Sequence, residues 1–136
     1  MIDTSVFVAA LIGRGGPNRE LLRRCLQGVY RPLMGNSLMA EYEAVINRPA
    51  ILKRVPATSW EVQDLLDALC ATAEWVPIYY LLRPNLVDEG GNHILELATA
   101  GNARWVVTNN LKDFAGSQLH LPDVGITTPE QLLKEV

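Results

Sequence analysis

Trp105-Val106-Val107-Thr108-Asn109-Asn110-Leu111-Lys112-Asp113-Phe114 is the stretch that decides the fold class. Its β-branched, apolar opening is the strongest strand candidate in the chain, and the polar residues after it mark the strand's end. An acid, Asp113, lies just beyond. At the start of the chain Ile2-Asp3-Thr4-Ser5 repeats the arrangement, with an apolar opening followed by an acid and two hydroxyls. Helical patterns lie between the two, and strands separated by helices form a parallel α/β sheet. In such a sheet the groups at the carboxyl ends of the strands meet in one crevice. Carboxylates gathered there repel one another unless a cation sits among them. A hard divalent ion such as Mg²⁺ prefers oxygen ligands and suits that position.

Working outward, the order reads strand, helix, strand, helix, helix, strand, helix, strand, helix. Residues 1–4 read as the end of a strand, and residues 6–11 as a short apolar continuation or a turn. A central strand usually has ~5–6 residues, yet only Met1 and Ile2 precede Asp3. The first strand is therefore unusually short, or the natural start lies a few residues earlier. Gly13-Arg14-Gly15-Gly16-Pro17 is a break, with Pro17 or Asn18 suited to open a helix over residues 18–28 and Gly28 to end it. Residues 30–34 form a short strand candidate. Ser37 is placed to cap the next helix, which ends before Pro49, and Thr58 or Ser59 starts a long amphipathic one. Residues 75–80 read as a strand end or edge because of Pro77. Residues 92–100 are helical, 104–108 a buried strand, 124–127 a last short strand, and Pro129 with Glu130 begins the terminal helix.

The chain has 136 residues, enough for one domain with a sizeable core. Its 49% hydrophobic and 20% charged content is that of a soluble globular protein. No apolar run approaches the ~18–20 residues of a membrane span, and the first residues lack the basic region of a signal peptide. The cytoplasm is the expected location. Cys25 and Cys70 are solitary within helical patterns, where a free thiol packs as a small hydrophobe, and no paired spacing suggests zinc. A net charge of −3 argues against gripping nucleic acid by bulk electrostatics alone. Arg14, Arg19, Arg23 and Arg24 nevertheless cluster, as a strip that touches phosphates or simply as a solvated helix face.

Helical geometry singles out one acid in the middle of the chain. At 100° per residue Glu41 falls beside Leu38 and Val45, at the border of the apolar stripe made with Tyr42 and Ile46. Glu43 points the opposite way. A carboxylate at that border needs a partner, and an ion pair with an arginine competes with a role in the site. Further on, Asp88, Asn92 and Glu96 recur at i, i+4 and i+8 and form one polar ridge. Helix capping is the ordinary reading of Asp88. His93 and His120 lack any accompanying nucleophile pattern.

These residues carry a resemblance. Ile2-Asp3-Thr4-Ser5-Val6-Phe7-Val8, Ser37-Leu38-Met39-Ala40-Glu41, Asp88-Glu89-Gly90-Gly91-Asn92-His93-Ile94-Leu95-Glu96-Leu97-Ala98 and Val107-Thr108-Asn109-Asn110-Leu111-Lys112-Asp113-Phe114 resemble PIN-domain proteins, and most of all the VapC-like toxins of toxin–antitoxin systems. The likeness spans essentially the whole chain in order, with loose individual motifs that are specific in combination. It implies a single domain over residues 1–136, a three-layer α/β/α fold around a parallel sheet of four to five strands. It also implies an Mg²⁺- or Mn²⁺-dependent ribonuclease, restrained by an antitoxin and commonly homodimeric. By position Asp3 is the first acid, Glu41 the second and Asp113 the fourth. Thr108, with Asn109 and Asn110, orients the strand-end side, and Ser5 hydrogen-bonds near the first acid. In such a site the metal neutralises the scissile phosphate and activates water.

The third position departs from the family. Where the family commonly has Asp, sixteen residues before Thr108, this chain has Asn92, whose carbonyl can ligate without bringing charge. Asp88, Glu89 or Asn92 fills that role. The departure also keeps open a catalytically weak or inactive PIN-like domain that binds RNA or protein. A phosphoaspartate protein is the other rival. The dehalogenase-type phosphatase wants a second Asp two residues after the first, where Ser5 stands. A receiver module wants an acid pair and a late Lys that this chain lacks.

Overall fold

A computed structural model of the chain describes residues 1–13, 15–77, 97–98, 100–114 and 124–134, without the side chains of 113 and 114. The elements in chain order are α1 (Thr4–Ile12), α2 (Pro17–Leu26), β1 (Leu33–Met34), α3 (Asn36–Ile46), α4 (Pro49–Leu52) and α5 (Ser59–Thr72). They continue with β2 (Glu74–Trp75), β3 (Trp105–Val107), α6 (Leu111–Phe114), β4 (Gly125–Thr127) and α7 (Pro129–Lys134). All strand pairing among them is parallel: β1 with β2, and β3 with β4. The described residues thus hold an α/β fold with two short strand pairs, and the single sheet of four to five strands is not among them.

β3 is the strand around which the described part is organised. On one side it pairs with β4, Trp105 opposite Gly125 and Val107 opposite Thr127. On the other, Ile2 makes an isolated parallel bridge to Val107. The Val107 N–H donates to Met1 O at 2.8 Å, and the Asp3 N–H donates to Val107 O at 2.9 Å. Both faces are covered as well as both edges, since Val106 and Val107 point to opposite sides and are buried at 0% and 3% exposure. That accounts for the unbroken apolar run that marked this segment.

The start of the chain differs from expectation. Residues 1–4 contribute one bridge rather than a strand, and residues 6–11 are neither strand nor turn but the body of α1. α1 has no polar stripe to give it a visible period. Val6, Phe7, Ala10 and Leu11 are buried, and Val8 and Ala9 half-buried, so the helix is apolar nearly all round. It packs on both α2 and α3, and this tertiary burial overrides the β-leaning propensity of its valines. Phe7 meets Tyr42 of α3 edge to face, with ring centroids 5.1 Å apart.

Other elements follow their local signals more closely. Pro17 opens α2 at its first turn, where its missing N–H costs nothing. Beyond the end of α2, Gly28 takes φ +83°. There the Val29 N–H reaches Arg24 O at 2.9 Å and the Gly28 N–H reaches Cys25 O at 3.1 Å, a Schellman closure. Thr58 caps α5 through a full capping box with Glu61. Ser37 does not cap α3, whose N-cap is Gly35, and Pro49 opens the extra turn α4 instead of only ending what precedes it. Cys25 is buried in the core, where desolvation pushes its thiol up to about 11 and keeps it protonated. Cys70 is half-buried against the Met39 sulfur at 3.4 Å.

The β3–β4 contact depends on a missing side chain. A Cβ on Gly125 would lie 2.3 Å from the Trp105 ring. Gly125→Ala must therefore displace the indole or part the two strands. We expect it to destabilise the chain by about 1–3 kcal/mol, the usual cost of overpacking, read as a lower thermal midpoint. An unchanged midpoint would refute the close approach.

Candidate metal centre

Asp3 lies between the bridge to β3 and the first turn of α1, and the residue is only 8% exposed. A carboxylate so buried needs donors. Two hydroxyls supply them to the same oxygen: Ser5 Oγ donates to Asp3 Oδ2 at 2.8 Å, and Thr108 Oγ1 donates to it at 2.8 Å. Among the described residues both hydrogen bonds to the carboxylate fall on Oδ2, which leaves Oδ1 for another ligand.

The hydroxyls are themselves held. Thr108, wholly buried at the end of β3, accepts the Asn110 N–H on Oγ1 at 3.0 Å. Ser5 Oγ accepts the Asn109 N–H at 3.1 Å. The Asn109 side chain then ties the assembly to α1 and α2, donating to Ser5 O at 3.2 Å and to Asn18 Oδ1 at 2.9 Å. The hydroxyl oxygens accept backbone N–H groups, so their protons are committed to Asp3 and its orientation is set.

Glu41 reaches the same neighbourhood from α3. It is half-buried while Glu43 is exposed, as the helical wheel places them. Thr4 Oγ1, on the residue after Asp3, donates to Glu41 Oε1 at 3.3 Å. Tyr42, the next residue along α3, donates its hydroxyl to Ile2 O, on the residue before Asp3. Burial above all, then the Asp3 charge, with smaller contributions that include Glu41, push the Tyr42 phenol well above its ordinary pKa. The α3 segment 41–42 thus braces both neighbours of Asp3. Sequence reasoning missed Thr4, Asn18 and Tyr42. The signal for Tyr42 was available, since a tyrosine on a buried stripe must find a partner for its hydroxyl.

The donor set suits a hard divalent cation. Two carboxylates backed by hydroxyl oxygens, with no Cys or His among the described residues that hydrogen-bond to them, are the ligands Mg²⁺ or Mn²⁺ prefers. Among the described residues no three acids, histidines or cysteines gather, and Asp3 and Glu41 are the two expected acids whose side chains are described. Asp88, Glu89 and Asn92 lie outside the described residues. Asp113 is placed in α6, directly after the strand end, but its side chain also lies outside them. The arginine strip is mostly internal: Arg23 and Arg24 pair with Glu20 at 3.4 and 3.2 Å, and Arg19 Nε donates to Ala10 O. Arg14 is outside the described residues.

Removing the Tyr42 hydroxyl tests the brace. Tyr42→Phe should cost about 1–2 kcal/mol, as a buried carbonyl loses its donor. The phenol's pKa is raised in the folded chain, so its contribution is complete below the ordinary value of 10.0 and is lost as pH climbs above it. Tyr42→Phe should therefore flatten the alkaline fall in thermal midpoint. An identical alkaline profile in both proteins would remove Tyr42 from the account.

Comparison with known proteins bears on this geometry in one way. No curated protein and no solved structure matches the chain. A family model described as a PIN domain matches residues 1–112, which takes in Asp3, Glu41 and Thr108. PIN domains are generally nucleases, and commonly metal-dependent ones. With that match over most of its length, the chain belongs to the PIN-domain family.

Proposed function

We propose that this chain is a metal-dependent endoribonuclease and the toxin component of a type II toxin–antitoxin pair, acting in the cytoplasm as a homodimer held in check by an antitoxin. The observation that carries the nuclease reading is the Asp3 carboxylate, buried under two hydroxyl donors and linked through Thr4 to Glu41. The toxin role, the antitoxin and the dimer rest on the VapC-like resemblance alone. So does the complete three-layer arrangement around one sheet of four to five strands.

In this reading Asp3, Glu41 and Asp113 hold Mg²⁺ or Mn²⁺, with Asp88, Glu89 or Asn92 completing the set. The ion, when bound, supplies charge neutralisation at the phosphodiester and activation of water. The chain's own residues do the positioning. Ser5 and Thr108 hold Oδ2 of Asp3, which leaves Oδ1 for the ion, and Thr4 steadies Glu41. Asn110 and Asn109 keep the two hydroxyls from turning away. The acids carry charge rather than protons, so no histidine is required. Asn92, in the place of a customary acid, favours a second reading: a weak or inactive PIN-like domain that binds RNA or protein without cutting.

The test is cleavage of mixed cellular RNA by the purified chain with Mg²⁺ or Mn²⁺. Cleavage should stop in chelator and should be lost in Asp3→Asn, which keeps the hydrogen-bonded shape but not the charge. Overexpression of the wild type should arrest growth, and Asp3→Asn should relieve the arrest. Activity that survives in Asp3→Asn would refute the site, whereas intact protein that never cuts would favour the non-cutting reading.

The two acids of α3 give an internal control. Glu41→Gln should lower cleavage by at least about tenfold, in the range of losses seen when groups around a metal site are altered. Glu43→Gln, on the exposed face, should leave the rate within about twofold. Equal losses would place the wrong acid in the site.

A further inference from the structure

The chain carries a second feature suited to RNA, away from the acids. Arg48, Lys53 and Arg54 flank the single turn α4, and all three are exposed. The turn is compact: Ile51 and Leu52 donate to Arg48 O at 3.0 Å, Lys53 to Pro49 O at 3.1 Å, and Arg54 to Ile51 O at 2.9 Å. Three cations therefore project from about two turns of ordered backbone. Among the described residues none of the three makes an ion pair or a side-chain hydrogen bond, unlike Arg23 and Arg24 on α2. No acid occurs between Glu43 and Glu61. Glu61 is occupied, accepting the Thr58 N–H at 3.1 Å and the Thr58 hydroxyl at 2.8 Å. In a chain of net charge −3 this is a local reversal of sign.

Trp60 follows Arg54 by six residues. At 66% exposure it is the most exposed large hydrophobic among the described residues. The capping box fixes the chain directly before it, and Val55 is buried, so the loop between Arg54 and Trp60 is anchored at both ends. Six residues span at most about 20 Å even when extended. α4 packs on α3, the helix that carries Glu41, and Arg48 follows Glu41 by seven residues, on the order of 10 Å of helical rise.

We propose that Arg48, Lys53, Arg54 and Trp60 form a docking surface for single-stranded RNA, the cations tracking its phosphates and the indole stacking on an unpaired base. The choice of RNA rests on the nuclease reading above. The chemistry is that of general single-strand binders, which combine a positive track with an exposed aromatic platform. A second copy of this chain is a poor occupant, because a two-fold contact here would set like charges against each other. The surface is close enough to Glu41 for one strand to reach both, so it would favour RNA with several unpaired nucleotides over a short or fully paired substrate.

The experiment measures binding of the full chain, in chelator, to a fluorescein-labelled oligouridylate of about 12 nucleotides, within the ~4–16-nucleotide range of single-strand sites. Salt is varied, and a fully paired duplex is run beside it. Arg48→Gln, Lys53→Gln and Arg54→Gln together should weaken binding by at least about tenfold at low salt. Each phosphate contact on a single strand contributes about 0.7 to the log–log salt slope, so the triple variant should lose about 2. Trp60→Ala should weaken binding and abolish RNA-induced quenching of tryptophan emission, and Trp60→Phe should restore most of the affinity. Wild-type affinity and slope in the triple variant would overturn the proposal. So would a change only in sedimentation, which would make the surface a protein contact. Binding is read without metal, so a chain that binds in this way but never cuts defeats the nuclease reading and leaves the docking surface standing.

Discussion

The Asp3 carboxylate, accepting Ser5 and Thr108 on one oxygen, is the interaction on which the described structure turns. A charge at 8% exposure is tolerable only with donors in place, and those donors come from two distant parts of the chain. Ser5 belongs to α1 and Thr108 to the end of β3, so the same pair of bonds that orients the acid also fastens the first helix to the strand. The backbone repeats the connection through the Asp3 N–H and Val107 O. Site and fold are therefore not separable here.

From that fixed point the remaining parts take their places. Tyr42 reaches Ile2 and Thr4 reaches Glu41, so α3 is tied to either side of Asp3 while its apolar face packs on α1. Asn109 links Ser5 to Asn18 and so joins the start of α2 to the end of β3. The result is a rigid polar patch at a strand end, built from short side chains with few rotamers. Such an arrangement loses little entropy on ordering and holds a ligand oxygen with little freedom.

Much of this could be read from residues alone, for identifiable reasons. β3 announced itself because both its faces are buried, which demands an unbroken apolar run. Glu41 was separable from Glu43 because α3 has one buried face. Thr58 and Glu61 spell a capping box in the sequence itself. α1 was misread because burial on most sides erases the period that identifies a helix. The arginine strip near α2 was left undecided although Glu20 stands three and four residues before Arg23 and Arg24, the spacing that consumes them in ion pairs. The single turns α4 and α6 carry too few residues to show a period at all. Thr4 and Asn18 gave no warning, because each acts through one hydrogen bond to a residue far away in sequence.

The span between Asp3 and Thr108 has a consequence for synthesis. They lie 105 residues apart, and Ile2 likewise waits for Val107. At ~5–20 residues per second, a ribosome takes several seconds to make the intervening chain. Throughout that time the first acid is in solvent, without the strand that will bury it. Closing so long a loop is also among the slower steps in folding. The centre therefore comes together only after Thr108 has been made, and every shorter nascent chain holds Asp3 without one of the two hydroxyls that orient it.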